Sequence, residues 1–392
     1  MISHRLLIWI LAALSMMGAL SIDAYLPALP SIAHNFGVSA PAAQQTLTVY
    51  LFSFAFMTLF YGTLSDSFGR RPVILVSLLL YLLSSIGAGC AQNLGELLIF
   101  RVLQGLSAGA GGVVGRAIVG DLLSGAEAQR AMAYMSVIFG LAPAIAPILG
   151  GWLQAAFGWR SIFMFIALFT LILMVICYYL LPESLPRKDR HAFHFKVIVA
   201  NYWEVGSHAR FMVQSLGNVL SFSGILIYVG AAPVFVMNIL HLSVKDFGWL
   251  FIPLIGGMTL GSYLSGWLSH RVTAATLIGV GYGIMFTSAF ANLAYSWFFI
   301  AAIPWAVIPM FFYGIGMSLA MPAMTVLTLE MFPRVRGLAS SLQSFLFMSI
   351  FAIGSGVICP LLFDSAFHLA SGVIVGLILS LLFWCMGSRL PA

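Results

Sequence analysis

The chain has 392 residues, 61% of them hydrophobic and 7% charged, with a formal net charge of +6. A soluble domain is about a quarter charged, so this composition excludes a water-soluble core and leaves a polytopic membrane protein. The four cysteines, Cys90, Cys177, Cys359 and Cys385, stand apart in apolar stretches with no CxxC spacing, which argues against disulfides and metal sites.

The N-terminus, MISHRLLIWILAALSMMGAL, is basic at its start but has no small-residue cleavage site before the apolar run continues, so it reads as a first span and not as a signal peptide. Apolar runs of about 20 residues suit a hydrocarbon core of about 30 Å. Twelve follow in order: 5–33, 40–67, 71–91, 95–122, 127–157, 159–181, 209–240, 244–270, 273–294, 297–331, 337–363 and 367–388. The longest polar stretch begins at Pro182. Residues 182–208 read as a linker between an N-terminal six-helix bundle (1–181) and a C-terminal one (209–392).

Lys and Arg set the orientation. One side collects Arg5, Arg70, Arg71, Arg130, Arg187, Lys188, Arg190, Lys196, Arg210, Arg271, Arg334, Arg336 and Arg389, and the other only Arg160 and Lys245. Both termini and the linker are therefore expected in the cytoplasm, and Arg101 and Arg116 are left inside the fourth span. The halves also repeat. GTLSDSFGRR (62–71) aligns with SYLSGWLSHR (262–271) at an offset of 200 residues, and an acid closes the fourth span of each half, Asp121 and Glu330. The expected fold is an all-α membrane protein of twelve transmembrane helices in two pseudo-symmetric six-helix bundles, an architecture of secondary transporters.

Several residues stand out within this frame. In GTLSDSFGRRPV, Gly62 and Gly69 permit close approach and a tight turn, Pro72 suits a first helical turn, and Asp66, Arg70 and Arg71 can pair or meet a helix end. A positive-inside loop with a turn explains the same residues. In GLAPAIAPILGG (140–151), Pro143 and Pro147 each remove a helical hydrogen bond. Gly140, Gly150 and Gly151 leave a flat face that Gly257 and Gly261 of the eighth span could meet, and ordinary close packing is the alternative. Asp121, Arg130, Glu330, Arg334 and Arg336 suit either an ion-pair network that breaks during transport or solvated end-caps.

Asp23 is an acid inside the first span, where charge is costly. It lies 18 residues beyond Arg5, about 27 Å of helix, at a depth compatible with Arg101. Burial favours the neutral acid and a nearby cation the charged one, so such a carboxyl can exchange protons; the alternative is a permanent pair with Arg101. Gln214, Asn218 and Phe222 are spaced by four, as are Gln343, Phe347 and Phe351, giving two faces of amides and aromatics as substrate candidates, with Tyr25, Tyr313 and Met317 beside them. His191 and His194 have no second ligand pair, and no P-loop is present, so neither a metal nor direct use of ATP is expected. No nucleophile–base set lies at membrane depth, so an enzyme is not expected.

GTLSDSFGRRPV resembles the loop signature of the major facilitator superfamily, RVLQG (101–105) its fourth-span motif, and GLAPAIAPILGG the fifth-span motif of its antiporter branch. DAYLPALP and FGWRSIF narrow the resemblance to the Bcr/CflA-type drug:proton antiporters. The resemblance implies the major facilitator fold and proton-coupled efflux of small amphiphilic drugs by alternating access across a bacterial inner membrane. It implies a monomer driven by the proton gradient with no cofactor, whose partners are a small molecule, protons and membrane lipid, and not nucleic acid. A dedicated exporter of a metabolite (an amino acid, nucleoside or siderophore) on the same fold is the alternative. The resemblance further implies that Asp66 caps the eleventh span, with Gly266 replacing that acid in the second half. It also brings the first and fourth spans together, so that Asp23 and Arg101 form the proton-coupling pair.

Overall fold

A chain that crosses lipid must satisfy its backbone internally, and helices do so within each segment. In the computed structural model, which describes residues 4–190, 194–333 and 335–390, helices joined by turns make up the described residues, with no strand among them. Arg334 and His191 lie outside the described residues. The chain forms two compact units, Met1–Phe195 and Lys196–Ala392.

In the first unit, α1 (His4–Asp23) stops inside the membrane run, a 3₁₀ turn (Leu26–Ala28) follows, and α2 (Leu29–Phe36) completes the span. Then come α3 (Ala40–Phe68) and α4 (Arg70–Cys90), a fourth span made of α5 (Leu94–Ala108) and α6 (Ala110–Leu122), α7 (Gly125–Phe157) and α8 (Arg160–Leu180). The side chain of Asn93 caps α5 by accepting from Glu96 N at 2.9 Å, and the Glu96 carboxylate accepts from Gln92 N at 2.8 Å, a reciprocal cap that fixes where the helix starts. Pro143 and Pro147 do not end α7, which runs on through both.

The linker is not featureless: α9 (Phe195–Gly206) turns Ile198 and Val205 inward and leaves Val199 and Trp203 exposed. In the second unit, α10 (Ala209–Leu220) and α11 (Ser223–Gly230) form one span bent by 51° at Ser221–Phe222, where an unbroken run was expected. After them stand α12 (Gly248–Leu268), α13 (Ala274–Phe298), α14 (Ile308–Leu329), α15 (Arg336–Ile353), the short α16 (Cys359–Leu361) and α17 (Ala366–Arg389). The tenth span was expected from 297 but α14 begins at Ile308. Residues 299–307 are irregular, and Pro304, without an N–H, cannot extend a helix there.

Ten of the described helices or helix pairs are long and apolar enough to cross a membrane, and the bent α10–α11 pair makes eleven. The 21 residues of α12, which include Gly256, Gly257 and Gly261, reach about 31 Å at 1.5 Å each. It coincides with the eighth expected segment but stands outside those eleven, so the described spans are consistent with the twelve expected without completing the count. Those glycines serve packing inside the unit: a Cβ on Gly257 would strike the Phe311 carbonyl, and one on Gly261 would meet the Ile315 carbonyl at 2.5 Å. In the first unit, a Cβ on Gly150 would strike the Ala24 carbonyl, and Gly151 is buried. Gly150, Gly257 and Gly261, read as faces that meet each other, are each occupied by a neighbouring backbone of their own unit. Gly140 borders open space.

Candidate transport site

Side chains from three other spans gather against the last turns of α1 and the residues that follow it. Arg101, on α5, is fully buried. Its Nε donates to Thr46 O at 3.2 Å, and its Nη1 to Gln104 Oε1 at 3.0 Å and to Ser21 Oγ at 3.5 Å. Its guanidinium carbon lies 4.4 Å from the ring centre of Tyr25 and 4.2 Å from that of Tyr50, so two aromatic faces take up the charge. Its Nη2 has no partner. Gln104 donates in turn to Ser85 Oγ at 2.8 Å. Tyr50 and Tyr81 donate to the α1 carbonyls of Gly18 and Met17.

Asp23 is the last residue of α1 and is 5% exposed. Among the described residues no hydrogen bond or ion pair reaches its carboxylate, so the expected pair with Arg101 is not made; the aromatic cage and neutral acceptors hold that arginine instead. Tyr25, a substrate candidate, is fully buried, with its ring over Arg101 and against Phe163 and its hydroxyl 2.5 Å from Thr46 Oγ1. Thr46 donates to Ala43 O, which makes Tyr25 the donor. Thr46, Tyr50, Tyr81, Ser85 and Gln104 escaped the sequence reading; the one local signal was Gln104, three residues from Arg101 and so on its helical face.

At the arginine-rich end of the unit, Gly69 has φ +101°, a backbone conformation that requires glycine, and the tips of the Arg190 and Glu183 side chains pack where a Cβ would stand. Arg70 is the hub. Its Nε donates to Asp121 Oδ2 at 3.0 Å and its Nη1 to Ser65 Oγ at 2.6 Å and to Asp66. Its backbone N–H donates to Glu183 Oε1 at 3.0 Å. Ser184 donates to Asp121 at 2.7 Å, and Arg190 pairs with Glu183 at 3.3 Å. Arg71 donates to Tyr178 O at 2.5 Å. Asp121 thus pairs with Arg70 and not with Arg130, which donates to the Tyr134 hydroxyl at 3.4 Å. Gly62 lies inside α3 with nothing within 4 Å of its Cβ, so it mediates no close approach. Among the described residues Glu330 and Arg336, at the end of α14 and the start of α15, form no ion pair.

The second unit brings its two stripes together. Phe222 and Phe347 meet edge-to-face with centroids 4.8 Å apart, and Gln343 donates to Ser215 Oγ at 3.4 Å. Asn218 donates to Thr325 at 2.9 Å, while Asn218 Oδ1 and Gln214 Oε1 are buried without partners. Tyr313, from α14, is fully buried. Its hydroxyl donates to Ser221 O at 2.9 Å and accepts from Gly224 N at 3.2 Å, filling the break between α10 and α11. Met317 is buried one turn further along α14.

Broken first spans, buried polar side chains at membrane depth and a charged network at one end define a membrane transporter of the secondary type. The Major Facilitator Superfamily profile matches residues 9–355, and the chain belongs to that family. It is 27% identical over 380 residues to a bicyclomycin resistance protein homolog of Haemophilus influenzae, covering 97% of this chain and 95% of that one. It is 26% identical to multidrug resistance protein D of Escherichia coli, covering 91% and 88%, and 26% identical to the multidrug transporter MdfA of Edwardsiella ictaluri, covering 85% and 81%. A bacterial homolog of the human lysosomal transporter Spinster, solved inward-facing and unoccupied, has the same fold, with a TM-score of 0.73 at 17% identity over 98% of this chain and 97% of that one.

Proposed function

We propose that this protein exports small amphiphilic drugs from the bacterial cytoplasm in exchange for protons. It works in the inner membrane as a monomer with cytoplasmic termini and without a cofactor. The names of its multidrug-resistance relatives support drug efflux, and the observation that carries the mechanism is Asp23: a buried carboxyl at the end of a broken helix with no cation bound to it among the described residues. An acid so placed is costly to ionise in lipid and has no fixed partner to hold it charged, so its protonation follows the state of the cavity. The drug meets the amide and aromatic face of α10 and α15, Gln214, Asn218, Phe222, Gln343 and Phe347. The Asp66–Arg70–Asp121 network, Arg71 and the Gly69 turn stabilise one end of the first unit between transport steps, with α7 (Pro143, Pro147, Gly150, Gly151), Glu330 and Arg336 moving as the access changes. Substrate-driven proton movement in proteoliposomes tests this. Wild type moves protons when drug is added, and Asp23→Asn binds drug without moving them. An Asn variant that still exchanges protons for drug refutes Asp23 as the coupling group.

A further inference from the structure

Where α1 and α7 begin, a cavity of about 720 Å³ opens between them, walled by Arg5 and Trp9 of α1 and by Glu127, Arg130 and Tyr134 of α7. Arg5 and Trp9 are four residues apart, as are Arg130 and Tyr134, so each helix turns one charge and one ring to the same side. The two rings meet across the seam with centroids 6.2 Å apart. Arg130 Nη2 donates to the Tyr134 hydroxyl at 3.4 Å, which holds that guanidinium beside the rings. Among the described residues the wall carries two arginines against one glutamate, so the cavity is positive. The face of α7 that enters it continues along the helix. Tyr134, Val137, Leu141, Ile145 and Trp152 are all exposed, and they fall within about 80° of arc at 3.6 residues per turn. Tyr134 and Trp152 are 18 residues apart, about 27 Å of helix, which nearly matches a hydrocarbon core of about 30 Å. Tyrosine and tryptophan gather at the two membrane–water interfaces. The aliphatic residues between them therefore lie at acyl-chain depth, and the cavity, one turn outward from Tyr134, lies at headgroup level.

A ligand for such a place carries an anion at one end and a chain at the other. Guanidinium groups bind phosphate oxygens through paired N–H donors, and basic pockets between membrane helices suit acidic headgroups. We propose that this cavity binds the phosphodiester headgroup of an anionic phospholipid of the phosphatidylglycerol type, from the leaflet at the arginine-rich end, with an acyl chain laid along Val137 and Leu141. A headgroup that carries its own ammonium is neutral overall and gains less from the net positive wall. A small soluble phosphate meets the same arginines but leaves the apolar face below them unused. The bound lipid ties the first turns of α1 and α7 together, whatever compound the protein exports.

The test is native mass spectrometry of the purified full-length protein in detergent, titrated with an equimolar mixture of dioleoyl-phosphatidylglycerol and dioleoyl-phosphatidylethanolamine. Wild type is expected to retain the glycerol lipid about tenfold more than the ethanolamine lipid. The double variant Arg5→Gln/Arg130→Gln loses that preference, and Arg5→Lys/Arg130→Lys, which keeps the charge, retains most of it. Arg271→Gln/Arg389→Gln removes the same charge from the second unit and leaves the preference unchanged. Protection of the buried Cys177 from a maleimide confirms that each variant is folded. A second readout needs no arginine variant: chain-brominated phosphatidylglycerol quenches Trp9 fluorescence, taken as the difference between wild type and Trp9→Phe, more than brominated phosphatidylethanolamine does. A wild type without the lipid preference overturns the proposal, as does a folded double Gln variant that keeps it, a second-unit variant that loses it equally, or equal quenching of Trp9 by the two lipids. Displacement of phosphatidylglycerol by an equal concentration of glycerol 1-phosphate would assign the cavity to a soluble phosphate and overturn the lipid assignment.

Discussion

Tyr313→Phe removes one oxygen at the break in the seventh span, and the consequence can be sized. The hydroxyl donates to Ser221 O and accepts from Gly224 N, two backbone groups with no helical partner at that bend. Leaving a buried group unsatisfied costs about 1–3 kcal/mol, while hydrogen bonds between membrane helices average about 0.6 kcal/mol. Two such bonds together give about 1–3 kcal/mol, with the ring and its packing retained. A free-energy change of that size is about a 5–150-fold change in an equilibrium. Cys359 is a built-in reporter, since its thiol is buried and lies 3.7 Å from Ile227 O on α11, so loosening of that half-helix uncovers it. Cys177, buried in the first unit, is the internal control, and the exposed Cys90 and Cys385 are first replaced by serine. Mass-spectrometric tracking of maleimide labelling in detergent should show Cys359 reacting faster in Tyr313→Phe by a factor in that range, with Cys177 unchanged. Equal Cys359 rates in the two proteins would mean that packing alone holds the bend and that the hydroxyl contributes nothing.

Two further predictions concern glycine and charge. Gly150→Ala forces a methyl into the Ala24 carbonyl and should lower the detergent melting temperature and the yield of folded protein, whereas Gly140→Ala, bordering open space, should leave both unchanged; the reverse order would contradict the packing described. Arg70→Lys keeps the charge but cannot span Asp121, Ser65 and Asp66 with one planar fork, so it should cost about 1–2 kcal/mol in unfolding assays. Asp121→Asn in the Arg70→Lys background should then add little, because the two substitutions break one interaction.

The spans were legible because twenty apolar residues in a row have few other uses, and most observed ends fall within three residues of those read from hydropathy. The breaks were not. Neither Ala24–Tyr25 nor Ser221–Phe222 contains a glycine or proline, and what stabilises the second is a tyrosine 92 residues away. The charged end was half legible. Asp66, Arg70 and Asp121 stood out as residue types, but the partner of Asp121 is 51 residues distant, and Glu183 and Arg190 lay in a stretch read as plain linker. Glycine was over-read: the pattern marks a close approach without saying what approaches, so Gly150 and Gly257 looked like two halves of one contact when each fits against its own neighbour. Asp23 and Arg101 were found by their cost in lipid, but cost does not reveal what offsets it, and for Arg101 that is two aromatic rings.

The repeat explains why chemistry concentrates in one unit. Ser21 and Ser221 are 200 residues apart, the same offset as the paired loop sequences; Ser221 lies at the break in the first span of its unit, and Ser21 lies in the last turn of α1 just before the other break. In each unit a side chain from the fourth span reaches that serine: Arg101 to Ser21 Oγ, Tyr313 to Ser221 O. The scaffold is duplicated and the reaching group is not. A phenol needs only one acceptor and one donor, and the break supplies both, so Tyr313 can be buried with no further provision. A guanidinium needs up to five acceptors and a counter-charge, which is why Tyr25, Tyr50, Thr46 and Gln104 crowd around Arg101 and why one of its amino groups still lacks a partner. A neutral latch changes little when a proton arrives nearby. Under the proposed coupling through Asp23, a caged, incompletely satisfied cation near the same helix break is expected to respond when the charge of that acid changes, since the field of a buried charge is weakly screened. Proton-dependent movement is therefore expected to begin at the break in the first span, with the seventh span following as a neutral hinge.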